Sequence, residues 1–179
     1  MKKRTTRKLA TAAVVGAAYA ALTMLLAPIS YGEVQMRVSE VLCILPFFIP
    51  STTWGLFLGC AIANVISAAG IWDVVFGSLA TLLSCLCIQM LGRHGRGAKS
   101  WLRILLAALM PVLFNGVIIG ALLMWTTTDT VFPEVNAAFW IIGGSVALGE
   151  AFVMFVLGVP LMRFLPKQTW FRKIIEEHK

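Results

Sequence analysis

The chain has 179 residues, 59% of them hydrophobic and only 13% charged, with a formal net charge of +7. A soluble domain of this length has too much surface to hide so large an apolar fraction, and several runs approach the roughly 20 apolar residues that cross a bilayer as a helix. A membrane barrel is excluded as well, because its segments of about 10 residues with alternating apolar and polar positions are absent.

The expectation is an all-α integral membrane protein, one membrane domain over residues 1–179 with six transmembrane helices. The first helix covers about 9–27 and stops at Pro28. Its basic start and small residues imitate a secretory signal, but the apolar run is long and further membrane segments follow, so it reads as an uncleaved helix. Small residues recur every fourth position on two lines, Ala13, Ala17, Ala21 and beside it Ala12, Gly16, Ala20. Such spacing lets another helix approach closely, either inside this bundle or from a partner. PISYGEVQMRVSEVLCILPFF (28–48) then carries Glu33, Gln35, Arg37 and Glu40 between two apolar runs.

A short second helix spans about 38–50, and a third about 53–68, ended by AAG. The fourth covers about 72–91, and GRHGRGAKS follows as a glycine-rich basic loop. The fifth spans about 101–125 with a kink expected at Pro111. TTTDTVFPEVN is a polar loop before the sixth helix, about 138–164.

The basic residues explain the net charge without nucleic acid. They form three clusters, KKRTTRK at 2–8, Arg93 to Arg103, and Arg163 to Lys173, each flanking an apolar run. Cytoplasmic loops carry such charge, so a cytoplasmic N-terminus and six crossings place all three clusters and both termini inside a cell membrane. The stretch at 28–48 and the Asp129/Glu134 loop then fall outside. Cys43, Cys60, Cys85 and Cys87 lie in apolar runs without CxxC or histidine spacing, and read as buried small residues. No metal and no cofactor are expected.

Ionisable groups at membrane depth are costly and usually line a cavity or pair with one another. Here they are Arg37, Glu40, Asp73 and Glu150, joined by the amides Gln35, Asn64 and Asn115. Asn115 and Glu150 lie roughly 15–18 Å below the outer surface at about 1.5 Å per residue. Together these groups outline a cup open to the outside. Plainer roles remain for several: Asp73 as a helix N-cap, Arg37 as a local ion-pair partner of Glu33 or Glu40, the asparagines as interhelical glue. Glu150 is the hardest to assign to structure, since no neighbour in sequence neutralises it. Among the nearby aromatics Tyr31, Phe47, Trp72, Trp125, Phe139 and Trp140, most fit an interfacial belt, while one or two are placed to stack on a flat ligand. No ATP-binding loop and no nucleophile–base pair is present, so an enzyme is a remote reading.

APISYGEVQMRVSEVLCILPFF (27–48) and DVVFGSLATLL (73–83) give the chain a further meaning. From Leu9 to about Pro166 it resembles the QueT family of queuosine-precursor transporters, substrate-binding S-components of energy-coupling factor (ECF) transporters. That resemblance implies a six-helix subunit that binds its substrate from outside, docks on a membrane coupling subunit driven by two ATPase subunits, and topples to release the substrate inside. It assigns the Ala13, Ala17, Ala21 face to docking. The implied substrate is a 7-deazaguanine such as 7-aminomethyl-7-deazaguanine, with Gln35, Arg37, Glu40, Asn64, Asp73, Asn115, Trp140 and Glu150 as its expected contacts. Glu40 and Glu150 rank as the main carboxylates and Asp73 as the third. The alternatives are an S-component for another vitamin or nucleobase, and a non-transporting membrane scaffold.

Overall fold

The computed structural model describes residues 2–31, 36–67, 69–93, 100–128 and 137–178, and every regular element among them is helical. Helix α1 (Lys2–Leu25) is followed by the short α2 (Ala27–Ser30) and a 3-10 helix (Val38–Phe47). Then come α3 (Thr52–Asn64), α4 (Ile71–Arg93) and α5 (Trp101–Thr128). Helix α6 (Ala137–Val153) continues through a π-helical turn (Met154–Gly158) into α7 (Val159–Phe164). A 3-10 turn (Leu165–Lys167) leads to α8 (Thr169–His178).

Four segments are long and apolar enough to cross a membrane: Arg4–Leu25, Ile71–Arg93, Trp101–Thr126 and Ala137–Lys167. The second and third expected helices are shorter, 10 residues of 3-10 helix and 13 of α-helix. A 3-10 helix rises about 2.0 Å per residue against about 1.5 Å in an α-helix, so each covers about 20 Å. The tighter winding lets few residues reach far. Arg37 at the start of the 3-10 helix meets Asp73 in the first turn of α4, and at its other end a Cβ on Gly92 would strike the carbonyl of Phe47. The two elements therefore run side by side in the same direction. Pro111, where a kink is expected, sits inside a helical span that runs unbroken from Trp101 to Thr128. Irregularity falls instead before Pro160, where Val159 bonds back to the carbonyl of Met154 and proline itself has no N–H to continue the ladder.

Helices pack in chain order, α1 on α3, α3 on α4, α4 on α5 and α5 on α6, and α1, α3, α4, α5 and α6 all contact the 3-10 helix. In lipid no hydrophobic drive joins helices, so close backbone approach through small residues does. A Cβ on Gly55 would run into the carbonyl of Ala12, and one on Gly59 into that of Gly16. The same device joins α5 to α6, where a Cβ on Gly120 would come to 2.6 Å from the Cα of Gly143. The inner line of α1 is thus Ala12, Gly16 and Ala20, while Ala13, Ala17 and Ala21 stay exposed. Leu25, Ile141 and Leu148, each more than 70% exposed, belong to the apolar exterior that lipid requires. The core gathers Tyr19, Cys43, Ile44, Leu56, Cys60, Ile88, Ile104 and Met154 around the 3-10 helix.

Candidate functional site

Three residues per turn eclipse positions i and i+3 in a 3-10 helix. Glu40 and Cys43 therefore stand on one ridge, Arg37 precedes them as the helix N-cap, and all three are buried. The Glu40 carboxylate is held from several sides: Tyr19 donates its hydroxyl to Oε1, Cys43 its thiol to Oε2 at 3.0 Å, and Thr81 its hydroxyl to Oε1 at 3.3 Å. Nearby, the Thr23 and Ser39 hydroxyls pair at 2.6 Å. These bonds tie α1, the 3-10 helix and α4 together at the level of Glu40.

Arg37 pairs with Asp73 at 3.2 Å, with both side chains 3% exposed or less. This replaces the local pair with Glu40 and the N-cap role for Asp73. The Arg37 backbone is extended, and as the N-cap it gives its carbonyl to the Glu40 N–H at 3.0 Å. Its guanidinium lies over the Tyr31 ring at 5.4 Å, while the Tyr31 hydroxyl donates to the carbonyl of Ala63 at 2.6 Å. Asn64, at the end of α3, donates through Nδ2 to the backbone carbonyl of Asp73 at 2.9 Å and to the Cys60 sulfur at 3.4 Å. It does so across Gly77: a Cβ there would overlap Asn64 Nδ2 and come to 2.7 Å from Asp73 Oδ1.

Glu150 on α6 is 1% exposed and Asn115 on α5 is 2% exposed. Asn115 is the polar neighbour of Glu150, and Glu40 and Arg37 lie within electrostatic reach of the same carboxylate. Five expected residues are thus brought into one buried polar interior drawn from the 3-10 helix, α3, α4, α5 and α6, with Glu40 beside them.

Buried polar atoms normally have partners, because each one left unpaired costs about 1–3 kcal/mol. Here several do not. Among the described residues, Arg37 Nε and Nη1, Asn64 Oδ1, Asp73 Oδ1, both amide atoms of Asn115, and Glu150 Oε2 have none. Acceptors and donors lie side by side, a chemistry suited to a polar guest. Glu40 is absent from that set, its two oxygens being already engaged.

One expected contact stands apart. Trp140 is 67% exposed in the first turn of α6, packed edge-on against Phe139 at 5.4 Å, so its indole faces outward and leaves the buried group. Gln35 lies outside the described residues, as does Glu33. Phe47 is a core residue against Phe48, and Trp72 packs on Trp125 at 4.9 Å. Sequence reasoning missed Tyr19, Thr81 and Gly77. Tyr19 had a signal, being one of two tyrosines in the chain and standing amid alanines; Thr81 and Gly77 had none.

Apolar outside and part-unsatisfied polar within, this bundle defines a multi-pass membrane protein. The class becomes a family on comparison with known proteins. A family model described as QueT transporter matches residues 9–167, and the chain belongs to that family. It is similar to a protein of Lactococcus lactis subsp. cremoris (strain MG1363) named queuosine precursor transporter QueT, with 32% identity over 171 residues, covering 94% of this chain and 98% of that one. No solved structure matches the chain significantly.

Proposed function

We propose that the protein is the substrate-binding subunit of an ECF-type transporter, taking up a queuosine precursor of the 7-deazaguanine class, with 7-aminomethyl-7-deazaguanine as its ligand. One observation carries the reading: a transporter-family chain in which unpaired donors and acceptors of Arg37, Asn64, Asp73, Asn115 and Glu150 meet in a buried interior. A guanine-like ring offers a carbonyl acceptor and two donors on one edge, and the aminomethyl arm adds a cation. Ionised carboxylates bonded to such donors make the stronger, charge-assisted class of hydrogen bond.

The subunit crosses the membrane six times, its termini cytoplasmic. The four long segments give the same orientation whether the 3-10 helix and α3 cross fully or return part-way, because that pair leaves the chain on the side where it began. Basic residues at the ends of α4 and α7 and at the start of α5 support this sense. Ala13, Ala17 and Ala21 form the docking face for the membrane coupling subunit, whose two ATPases supply the energy. Their exposure supports that role, the neighbouring line being used by α3.

The test is titration of the purified protein with 7-aminomethyl-7-deazaguanine by calorimetry, in wild type, Glu150→Gln and Asp73→Asn. Loss of a charged partner predicts affinity lowered about tenfold or more in each variant. Wild-type affinity in both variants would refute the site. Mass spectrometry of ligand co-purified with the protein checks its identity independently.

A further inference from the structure

The unpaired atoms are not scattered evenly; they form two groups of different charge. Arg37, Asp73 and Asn64 make the first. Asp73 spends one oxygen on Arg37 at 3.2 Å and keeps Oδ1 open, Asn64 spends its nitrogen on the Asp73 carbonyl and keeps Oδ1 open, and Arg37 keeps Nε and Nη1. Gly77 leaves room for the two side chains to meet, since the space a Cβ would fill there borders Asp73 Oδ1 and the Asn64 amide nitrogen. The group is an ion pair without net charge, and it offers open donors on Arg37 together with open acceptors on Asp73 and Asn64.

The second group is Glu150 with Asn115. Among the described residues Glu150 has no salt-bridge partner, and its Oε2 has no hydrogen bond. Glu40, the other carboxylate nearby, cannot share the work: Tyr19, Cys43 and Thr81 occupy it. A ligand cation beside Asp73 would face the Arg37 guanidinium, and like charges at contact repel. Beside Glu150 it finds a carboxylate that has no ion-pair partner among the described residues, and an amide oxygen.

The geometry points to a fixed ligand orientation: the guanine-like edge lies against Arg37, Asp73 and Asn64, and the ammonium arm lies against Glu150 and Asn115. Arg37 donates to the ring carbonyl, while Asp73 Oδ1 and Asn64 Oδ1 accept from the ring N–H and the exocyclic amino group. Glu40 is a positioning residue that fixes the 3-10 helix between α1 and α4 and does not touch the ligand. This orientation rests on the ligand proposed above.

The experiment separates the two ends of the ligand. Binding is measured for 7-aminomethyl-7-deazaguanine, its 7-cyano counterpart with a neutral arm, and the analogue of each lacking the exocyclic amino group. Wild type is expected to prefer both the cationic arm and the amino-bearing edge. In Glu150→Gln the arm preference falls about tenfold or more, and the edge preference stays within about twofold. In Asp73→Asn the edge preference collapses while the arm preference remains. There the amide oxygen is retained by Arg37, so the amide nitrogen stands where Oδ1 stood and opposes a ring donor with another donor. Glu150→Gln, nearly isosteric and outside the ion pair, decides the matter alone if Asp73→Asn does not fold. Loss of edge preference in Glu150→Gln with arm preference intact overturns the orientation and leaves the ligand standing. Failure of wild type to bind any of the four compounds overturns the ligand as well.

Discussion

Gly77 is the residue on which the Asn64–Asp73 arrangement depends, and Gly77→Ala is its sharpest test. The added methyl would sit 2.7 Å from Asp73 Oδ1 and overlap Asn64 Nδ2, well inside the 3.4 Å at which ordinary contact begins. Asn64 must then leave the Asp73 carbonyl it holds at 2.9 Å. Stranding that buried amide costs about 1–3 kcal/mol, and crowding a packed interior adds about 1–3 kcal/mol. Alanine recovers about 1 kcal/mol through its better helix propensity. The balance is a destabilisation of about 1–5 kcal/mol, together with weaker ligand binding because one open acceptor is displaced. Gly144→Ala supplies the control: a Cβ there meets nothing within 4 Å, so it should be neutral or stabilising by up to about 1 kcal/mol. The assay is thermal unfolding of both variants in the same detergent, followed by calorimetric titration. If Gly77→Ala matches Gly144→Ala in midpoint and in affinity, the notch has no part in positioning Asn64.

Gly55→Ala should separate α1 from α3 by driving a methyl into the Ala12 carbonyl, lowering stability by about 1–3 kcal/mol or more in the same unfolding assay; an unchanged midpoint would mean the crossing is looser than described. Tyr19→Phe removes one donor from the buried Glu40 carboxylate and should cost about 1–3 kcal/mol of stability, with ligand affinity nearly unchanged. A large affinity loss with normal stability would instead put Glu40 at the ligand. Replacing exposed Ala13 and Ala17 together with leucine should spare ligand binding in detergent and abolish uptake in cells, whereas equal loss of both would point to folding.

Much of the buried polar interior was legible because charge inside an apolar run is expensive and therefore sparse. Arg37, Asp73, Asn64, Asn115 and Glu150 announced themselves one by one. Their pairing did not. Arg37 reads in sequence as a neighbour of Glu40, but the ion pair closes with a residue 36 positions away, and only the packing of the 3-10 helix on α4 decides that. Thr81 was invisible for the opposite reason: hydroxyls are cheap in membrane helices, so one that fixes a carboxylate looks like any other. Trp140 misled because an indole at a bilayer interface and an indole over a ligand carry the same sequence signal. Helix winding was also beyond reach at Val38–Phe47, where hydropathy reveals a short apolar run and says nothing of how tightly it coils.

The widened turn at Met154–Gly158 has a bearing on how the last membrane segment is aimed. Along an unbroken α-helix, the twelve positions from Glu150 to Met162 would leave the two side chains about 120° apart around the axis. Both are buried, at 1% and 0% exposure. The π turn unwinds part of that angle, acting as a phase adjuster that lets the upper half present a carboxylate and the lower half a packing residue to the same interior. Inserting one residue between Met154 and Gly158 would therefore rotate one half out of true, whereas deleting one would only close the π turn into α-helix of the same phase. The length of this segment is as much a part of the site as the acid it carries.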